Sequence, residues 1–198
     1  MKRILLTLAC VVALASACTT ETPIGKSIGR WEDFSLESMI QSREGGIEYI
    51  EVTMSDVIGK DTAGVRDRAA ALKAKIDSAG MKIWSVHLPY SKRIDISLVD
   101  SARRANAVNY VRDMMKVAGV FQAERVVLHP SYDSVVPDDR ADRIECCRAS
   151  IAELAPVAAE IGATLCIENL PRTCQTFWVF SLVVHLQSSV HRMRCDAC

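Results

Sequence analysis

The sequence predicts an α/β fold of the (β/α) TIM-barrel type, incomplete at about five βα units, with an N-terminal signal peptide before it and an atypical C-terminal tail after it. Three observations lead there: apolar strand-like runs alternate with long helical patterns, a glycine stands just before most of the runs, and the runs recur near residues 28, 49, 84, 127 and 166. Strands alternating with helices of this length need crossover connections, and crossovers build parallel sheets covered by helices. A doubly wound open sheet is the alternative arrangement of the same units.

The first 17 residues stand outside that pattern. Lys2 and Arg3 form a charged start, Ile4 to Leu14 an apolar stretch, and Ala15, Ser16 and Ala17 a small-residue cleavage site. This is the layout of a secretory signal peptide, and its apolar stretch is too short for a mature membrane-spanning helix. "LASAC" resembles a bacterial lipobox, which marks Cys18 for lipidation, although Ala15 stands where leucine is usual. The expectation is an exported cell-envelope protein, anchored to the membrane through lipid on Cys18, or else periplasmic or secreted. Residues 18–26 read as an N-terminal linker, 27–174 as the partial barrel and 175–198 as the tail.

Taking the elements in order, a short first strand is expected near Ser27 to Gly29. Ser35 is placed to cap a helix to about Arg43, and Gly45 and Gly46 then precede the run "IEYIEV". Thr62 to Ala79 is alanine-rich and amphipathic, and Gly80 precedes "MKIWSVHLPY". Ser97 with Asp100 forms a capping-box-like start to a helix reaching about Ala118, and Gly119 precedes "VFQAERVVLHPSY". A fourth helix runs from about Asp138 to Ile161, which Pro156 is expected to kink or divide. Gly162 precedes "ATLCIENLP". Glycine readily takes the left-handed conformation that ends a helix, so each of these glycines reads as a helix stop.

Composition excludes some functions. The chain has 198 residues and a formal net charge of zero, and removing Lys2 and Arg3 from its 24 basic residues leaves 22 against 24 acidic ones, a net charge of −2. That balance lacks the basic face nucleic-acid binding needs. The arginines at 103, 104, 112, 140, 143 and 148 lie on helical segments among acids and read as solvated faces. No glycine-rich phosphate loop follows the first strand, which removes the usual dinucleotide and P-loop functions. Of eight cysteines, Cys195 and Cys198 form an isolated CxxC near the terminus; with His185 and His191 their spacing fits no common zinc site.

The runs end in residues suited to chemistry. Glu51 closes the second, His87 the third, His129 the fourth and Glu168 the fifth. In a parallel barrel the C-terminal strand ends share one face, and that face carries the active site. Two imidazoles and a carboxylate suit a divalent ion such as Mn, Zn, Mg or Co, and the same groups serve as general acids or bases. A carboxylate ending a buried run needs a partner, which singles out Glu168. Trp31, Trp84 and Tyr90 are candidates to line a sugar pocket, with core packing the simpler role for Trp84.

At these positions the chain resembles the xylose isomerase-like barrel superfamily, which includes sugar-phosphate isomerases and epimerases and an apurinic endonuclease branch. The matching pieces are "IEYIEV", "VHLPY", "VVLHPSY" and "CIENLP", and the likeness covers about residues 24 to 174. It implies a divalent metal held by Glu168, His129 and His87, with Glu168 and His87 catalytic. It implies a small carbohydrate as substrate, met by Glu51, Trp84, Tyr90 and Asn169; the export signal and the lack of a basic face favour this sugar branch and no nucleic-acid partner. The implied activity is that of a sugar (phosphate) isomerase or epimerase; the alternatives are a zinc phosphodiesterase of the endonuclease type and a non-catalytic lipoprotein fragment. A full barrel takes about 250 residues, and 181 remain from Cys18 onward. The superfamily's ligands on the sixth, seventh and eighth strands have no counterpart here, and "QTFWVFSLVVHLQSSVHRMRCDAC" has no strand-helix punctuation. The expectation is a reading frame interrupted near codon 174, a truncated form and doubtful activity.

Overall fold

The computed structural model describes residues 23–28, 34–132 and 139–168. The expected signal peptide, Cys18, Trp31, Asn169 and the tail from 175 lie outside them. The elements are β1 (Ile24–Ile28), α1 (Leu36–Glu44), β2 (Ile47–Thr53), α2 (Met54–Ile58), α3 (Val65–Ser78), β3 (Lys82–His87), α4 (Ser101–Ala118), a 3-10 turn (Gly119–Phe121), β4 (Arg125–Leu128), α5 (Arg140–Glu160) and β5 (Thr164–Ile167). All four pairings are parallel, and the strands lie in the order in which they occur in the chain. A doubly wound sheet reverses its strand order at a switch point. Among the described strands no reversal occurs, and the architecture is that of a TIM barrel's first five βα units.

Strand alternation separates two faces. Ile28, Ile50, Val52, Val86, Leu88, Val126, Leu128, Leu165 and Ile167 are buried in one continuous apolar cluster. Their partners come from the helices, among them Leu72 and Ile76 of α3, Val111 and Met115 of α4, and Leu154 of α5. The core is therefore the helix-sheet interface. The opposite, lumenal face carries Ser27, Glu51, Ser85, Arg125 and Cys166 instead.

Several boundaries differ from those expected, each for a local reason. β1 begins at Ile24, so it takes in residues assigned to the linker. The β2–α3 connection holds an additional short helix, α2. Arg68 anchors this connection by donating to the carbonyls of Val57, Ile58, Asp61 and Ala63. Ser35 caps α1 as expected, accepting from the Ser38 amide. Asp100 alone caps α4, because Ser97 donates its hydroxyl to Asp95. Pro156 sits inside α5 without dividing it.

Gly80 and Gly162 have φ of +70° and +75° at the ends of α3 and α5. Gly119 does not take that conformation; the left-handed residue after α4 is Gln122, at φ 54°. Gly119 is required for a different reason: a Cβ there would lie 3.0 Å from Ile161 Cγ2. The expected helix stop is thus a close approach between the α4 terminus and the end of α5.

Two substitutions separate core packing from backbone conformation. Leu154 is fully buried, so Leu154→Ala should cost about 2–5 kcal/mol. Gly162→Ala meets nothing within 4 Å, so only its left-handed backbone is penalised, by about 1–2 kcal/mol. Urea denaturation with an unchanged m-value measures both, and a stable Gly162→Ala protein would contradict the assigned helix end.

Candidate metal centre at the strand ends

The register places the chemistry. His87 is the last residue of β3 and pairs with Thr53 on one side and Val127 on the other; Leu128 pairs with Ile167. His129 and Glu168 are the next residues of their strands. The ladder continues past the strand ends, with the Leu88 amide donating to Val127 O at 2.9 Å and the Glu168 amide to Leu128 O at 3.0 Å. Three side chains separated by up to 81 residues are therefore held by backbone pairing.

They converge on one atom. Glu168 Oε2 lies 2.8 Å from His87 Nε2 and 2.9 Å from His129 Nε2. The imidazoles are largely buried, and the Glu168 side chain is 41% exposed. The Tyr90 ring stacks on His129 at 4.1 Å between centroids and meets His87 edge-on at 5.4 Å.

The donor set fits a divalent cation. His87 Nδ1 faces the carbonyl oxygen of Leu88 at 2.9 Å, and a carbonyl only accepts, so Nδ1 carries the proton. In the neutral ring Nε2 then presents a lone pair to a carboxylate oxygen. Two acceptors at that separation need positive charge between them, a proton or a metal. A backbone carbonyl on the far imidazole nitrogen is the usual outer partner of a metal-binding histidine. Ligand atoms at about 2.0–2.2 Å from an ion lie roughly 3 to 3.5 Å apart. The three groups here offer ligand atoms all within 4.8 Å of one another.

The other candidates divide. Tyr90 joins the cluster. Glu51 does not: β2 runs on to Thr53, and the Glu51 carboxylate accepts a hydrogen bond of 2.7 Å from Ser85 one layer nearer the strand starts. Trp84 is neither core nor neighbour to the cluster. The β2–β3 register shifts between Ile50 and Glu51, and Trp84 is 42% exposed, edge-on to Tyr49 and under the Arg125 guanidinium. With Gly25, Ser27, Tyr49, Glu51 and Ser85 it lines a cavity of about 340 Å³ that none of His87, His129 and Glu168 touches.

The arginines are not all solvated. Arg143 is buried and its guanidinium lies 2.6 Å from the buried Asp95 carboxylate. Arg104 is half-buried and donates to Leu98 O and to the Cys146 thiol. Arg143, read from the sequence as solvated, is paired with a residue that reading missed, Asp95; the "DIS" spacing of an Asx-turn was the available signal, since Ser97 donates both its amide and its hydroxyl to Asp95 Oδ1.

The family model described as xylose isomerase-like TIM barrel matches residues 41–188, a span that extends beyond Cys174. The chain belongs to this family. An uncharacterized protein of Methanocaldococcus jannaschii is 24% identical over 139 residues, covering 70% of this chain and 51% of that one. D-psicose 3-epimerase, solved in the presence of D-fructose, superposes with a TM-score of 0.64 at 21% identity, covering 77% of this chain and 54% of its own. The 3-keto-D-glucoside 4-epimerase of E. coli gives 0.59 at 17% identity, with coverages of 77% and 58%. At these identities the superpositions show the fold. The chain spans about half the length of the relatives it matches.

Cys147 tests the packing beside the centre. Its thiol donates to Pro130 O, one residue past His129, and burial, reinforced by the Asp95 carboxylate, pushes it up to about 12. The reactive form is the thiolate, and a raised pKa leaves the group a neutral thiol through the neutral and mildly alkaline range. Iodoacetamide at pH 8 should leave Cys147 unmodified in the native protein and label it in urea, as peptide mass mapping would report.

Proposed function

We propose that His87, His129 and Glu168 form part of the divalent-cation centre of a sugar isomerase or epimerase that moves a proton at the carbon beside a sugar carbonyl. The observation that carries the reading is the shared Glu168 Oε2, faced by two imidazole nitrogens at 2.8 and 2.9 Å. A divalent ion held there supplies Lewis-acid polarisation of the substrate's carbonyl and hydroxyl oxygens. The chain's own groups do the rest. His87, its Nδ1 proton committed to Leu88 O, keeps Nε2 directed into the site. Glu168 uses Oε2 toward the histidines, and its second oxygen has no hydrogen-bond partner among the described residues. That oxygen takes the substrate proton and returns it. Tyr90, half-exposed above His129, covers one side of the centre and offers a ring to the apolar face of a sugar.

The full chain, titrated with Mn²⁺, Co²⁺ or Zn²⁺, is the direct test. An ion at a hundred times its Kd contributes about 2.7 kcal/mol, a rise in Tm of roughly 5–10 °C at this size. Glu168→Gln should abolish the rise and also the exchange of the sugar's carbon-bound proton in D₂O, followed by NMR on ketohexoses. Metal-independent melting of the wild-type chain would sink the proposal. Cleavage of an abasic DNA duplex without sugar proton exchange would transfer the centre to phosphodiester chemistry.

The reading includes an exported, lipid-anchored protein. What supports it is the layout of residues 1–18, with Lys2 and Arg3, the apolar stretch and Cys18 after a small-residue site. Among the described residues no helix is long and apolar enough to cross a membrane. Expressed in a bacterial host, the wild-type chain should fractionate with membranes and Cys18→Ala should move to the soluble fraction. Equal partition of the two would exclude the anchor.

A further inference from the structure

We infer that the buried ion pair of Asp95 and Arg143 is a positioning device for the cation centre: it locks the loop after β3 to the loop after β4 and so fixes Tyr90 on His129. The inference rests on the proposed function for its metal readout. Its geometry stands alone.

Asp95 is 5% exposed and Arg143 8%. A carboxylate so buried is strongly disfavoured unless all its lone pairs are engaged, and here four donors reach it. Oδ1 accepts from the Ser97 amide at 2.8 Å and its hydroxyl at 2.6 Å. Oδ2 accepts from the Tyr132 amide at 3.2 Å and from Arg143 Nη2 at 2.6 Å. Those donors belong to three separate segments. Ser97 shares Asp95's own loop, which begins at Leu88 and carries Tyr90; Tyr132 lies three residues past His129; Arg143 lies in the first turn of α5. Ser150 of α5 adds a hydroxyl donated to Ile96 O at 2.7 Å, and Cys147 a thiol donated to Pro130 O at 3.3 Å. Helix α5 therefore grips both loops, and Asp95 is where all three segments meet.

The consequence falls on the site. Tyr90 lies between Leu88, whose amide is fixed to Val127 O, and Asp95, fixed to Tyr132 and Arg143. With both ends of that segment tied to the β4 side, the Tyr90 ring is carried against His129, at 4.1 Å and 19°. Without the tie at Asp95 the loop keeps its Leu88 end and the Ser150 bond to Ile96 O, and loses its link to the His129 side through Tyr132 and Arg143. Neither Asp95 nor Arg143 contacts the cluster, so both act through Tyr90 and the His129 loop.

The test uses the full chain as Asp95→Asn and Arg143→Lys, with Leu72→Ala as a control that weakens the core in α3, away from both loops. Stacking leaves the His129 ring protons in the shielding cone of Tyr90, and a Tyr90→Leu spectrum gives their unstacked position. In Asp95→Asn, or in Arg143→Lys if the first does not fold, these protons should move toward the unstacked position, while Leu72→Ala leaves them in place. Co²⁺ affinity should fall about tenfold with an altered visible spectrum, again without change in Leu72→Ala. A folded clamp variant with wild-type ring shifts overturns the positioning role whatever the metal does. Wild-type protein that binds no Co²⁺ overturns the cation centre alone, since the ring-shift readout needs no ion.

Discussion

A single carboxylate oxygen facing two imidazole nitrogens at under 3 Å constrains much of this molecule. Coulombic and lone-pair terms make the arrangement unfavourable unless positive charge is available, because His87 already commits its one neutral-form proton to Leu88 O. The chain meets this with rigidity: parallel ladders extend one residue past β3 and β5, where the Leu88 and Glu168 amides donate to β4 carbonyls, so the backbone beside His87 and at Glu168 resists moving the groups apart. The strands are held in turn by an apolar face pressed against α3, α4 and α5. Packing free energy on one side of the sheet thus maintains an electrostatic demand at its end.

Much of the fold was legible because helix punctuation and strand alternation are local. Gly80 and Gly162 end helices as a left-handed residue must, and the spacing of apolar runs gave five parallel strands in order. Gly119 marked the right place for a different physical reason, a contact with Ile161 that is 42 residues distant in sequence. Pro156 was expected to kink or divide α5 and does not divide it, since α5 is packed along its length. The short helix α2 escaped notice because five residues show no periodicity; its stability comes from Arg68 reaching carbonyls around it.

The candidate site was legible to the extent that it follows strand ends. His87, His129 and Glu168 sit where the apolar runs stop, and register brings them together. Glu51 appeared equivalent because its run also seemed to stop there, but β2 continues for two residues and the carboxylate falls a layer lower, satisfied by Ser85. Trp84 shows a second limit. A register shift at the β2–β3 pair aims its ring at Tyr49 and Arg125 on the lumenal side, and such a bulge leaves no mark in hydrophobic periodicity. Asp95 and Arg143 were hidden for the same reason that charged residues on helices usually are: most face water, and burial of one pair depends on contacts 48 residues apart.

The two faces of the sheet also explain why the centre and the cavity lie apart. The helix-facing side is closed by the chain's own elements and needs nothing further. The lumenal side holds polar and aromatic groups that in a closed barrel pack against side chains from the remaining strands. With five described strands, its lower part is the 340 Å³ space beside Trp84 and Glu51, while the upper rim is ordered by hydrogen bonds to backbone and by the loop clamp. The rim is therefore preorganised by the five described strands and the loops that follow them. The orientation of the three groups already there comes from β3, β4, β5 and the loop that Asp95 holds.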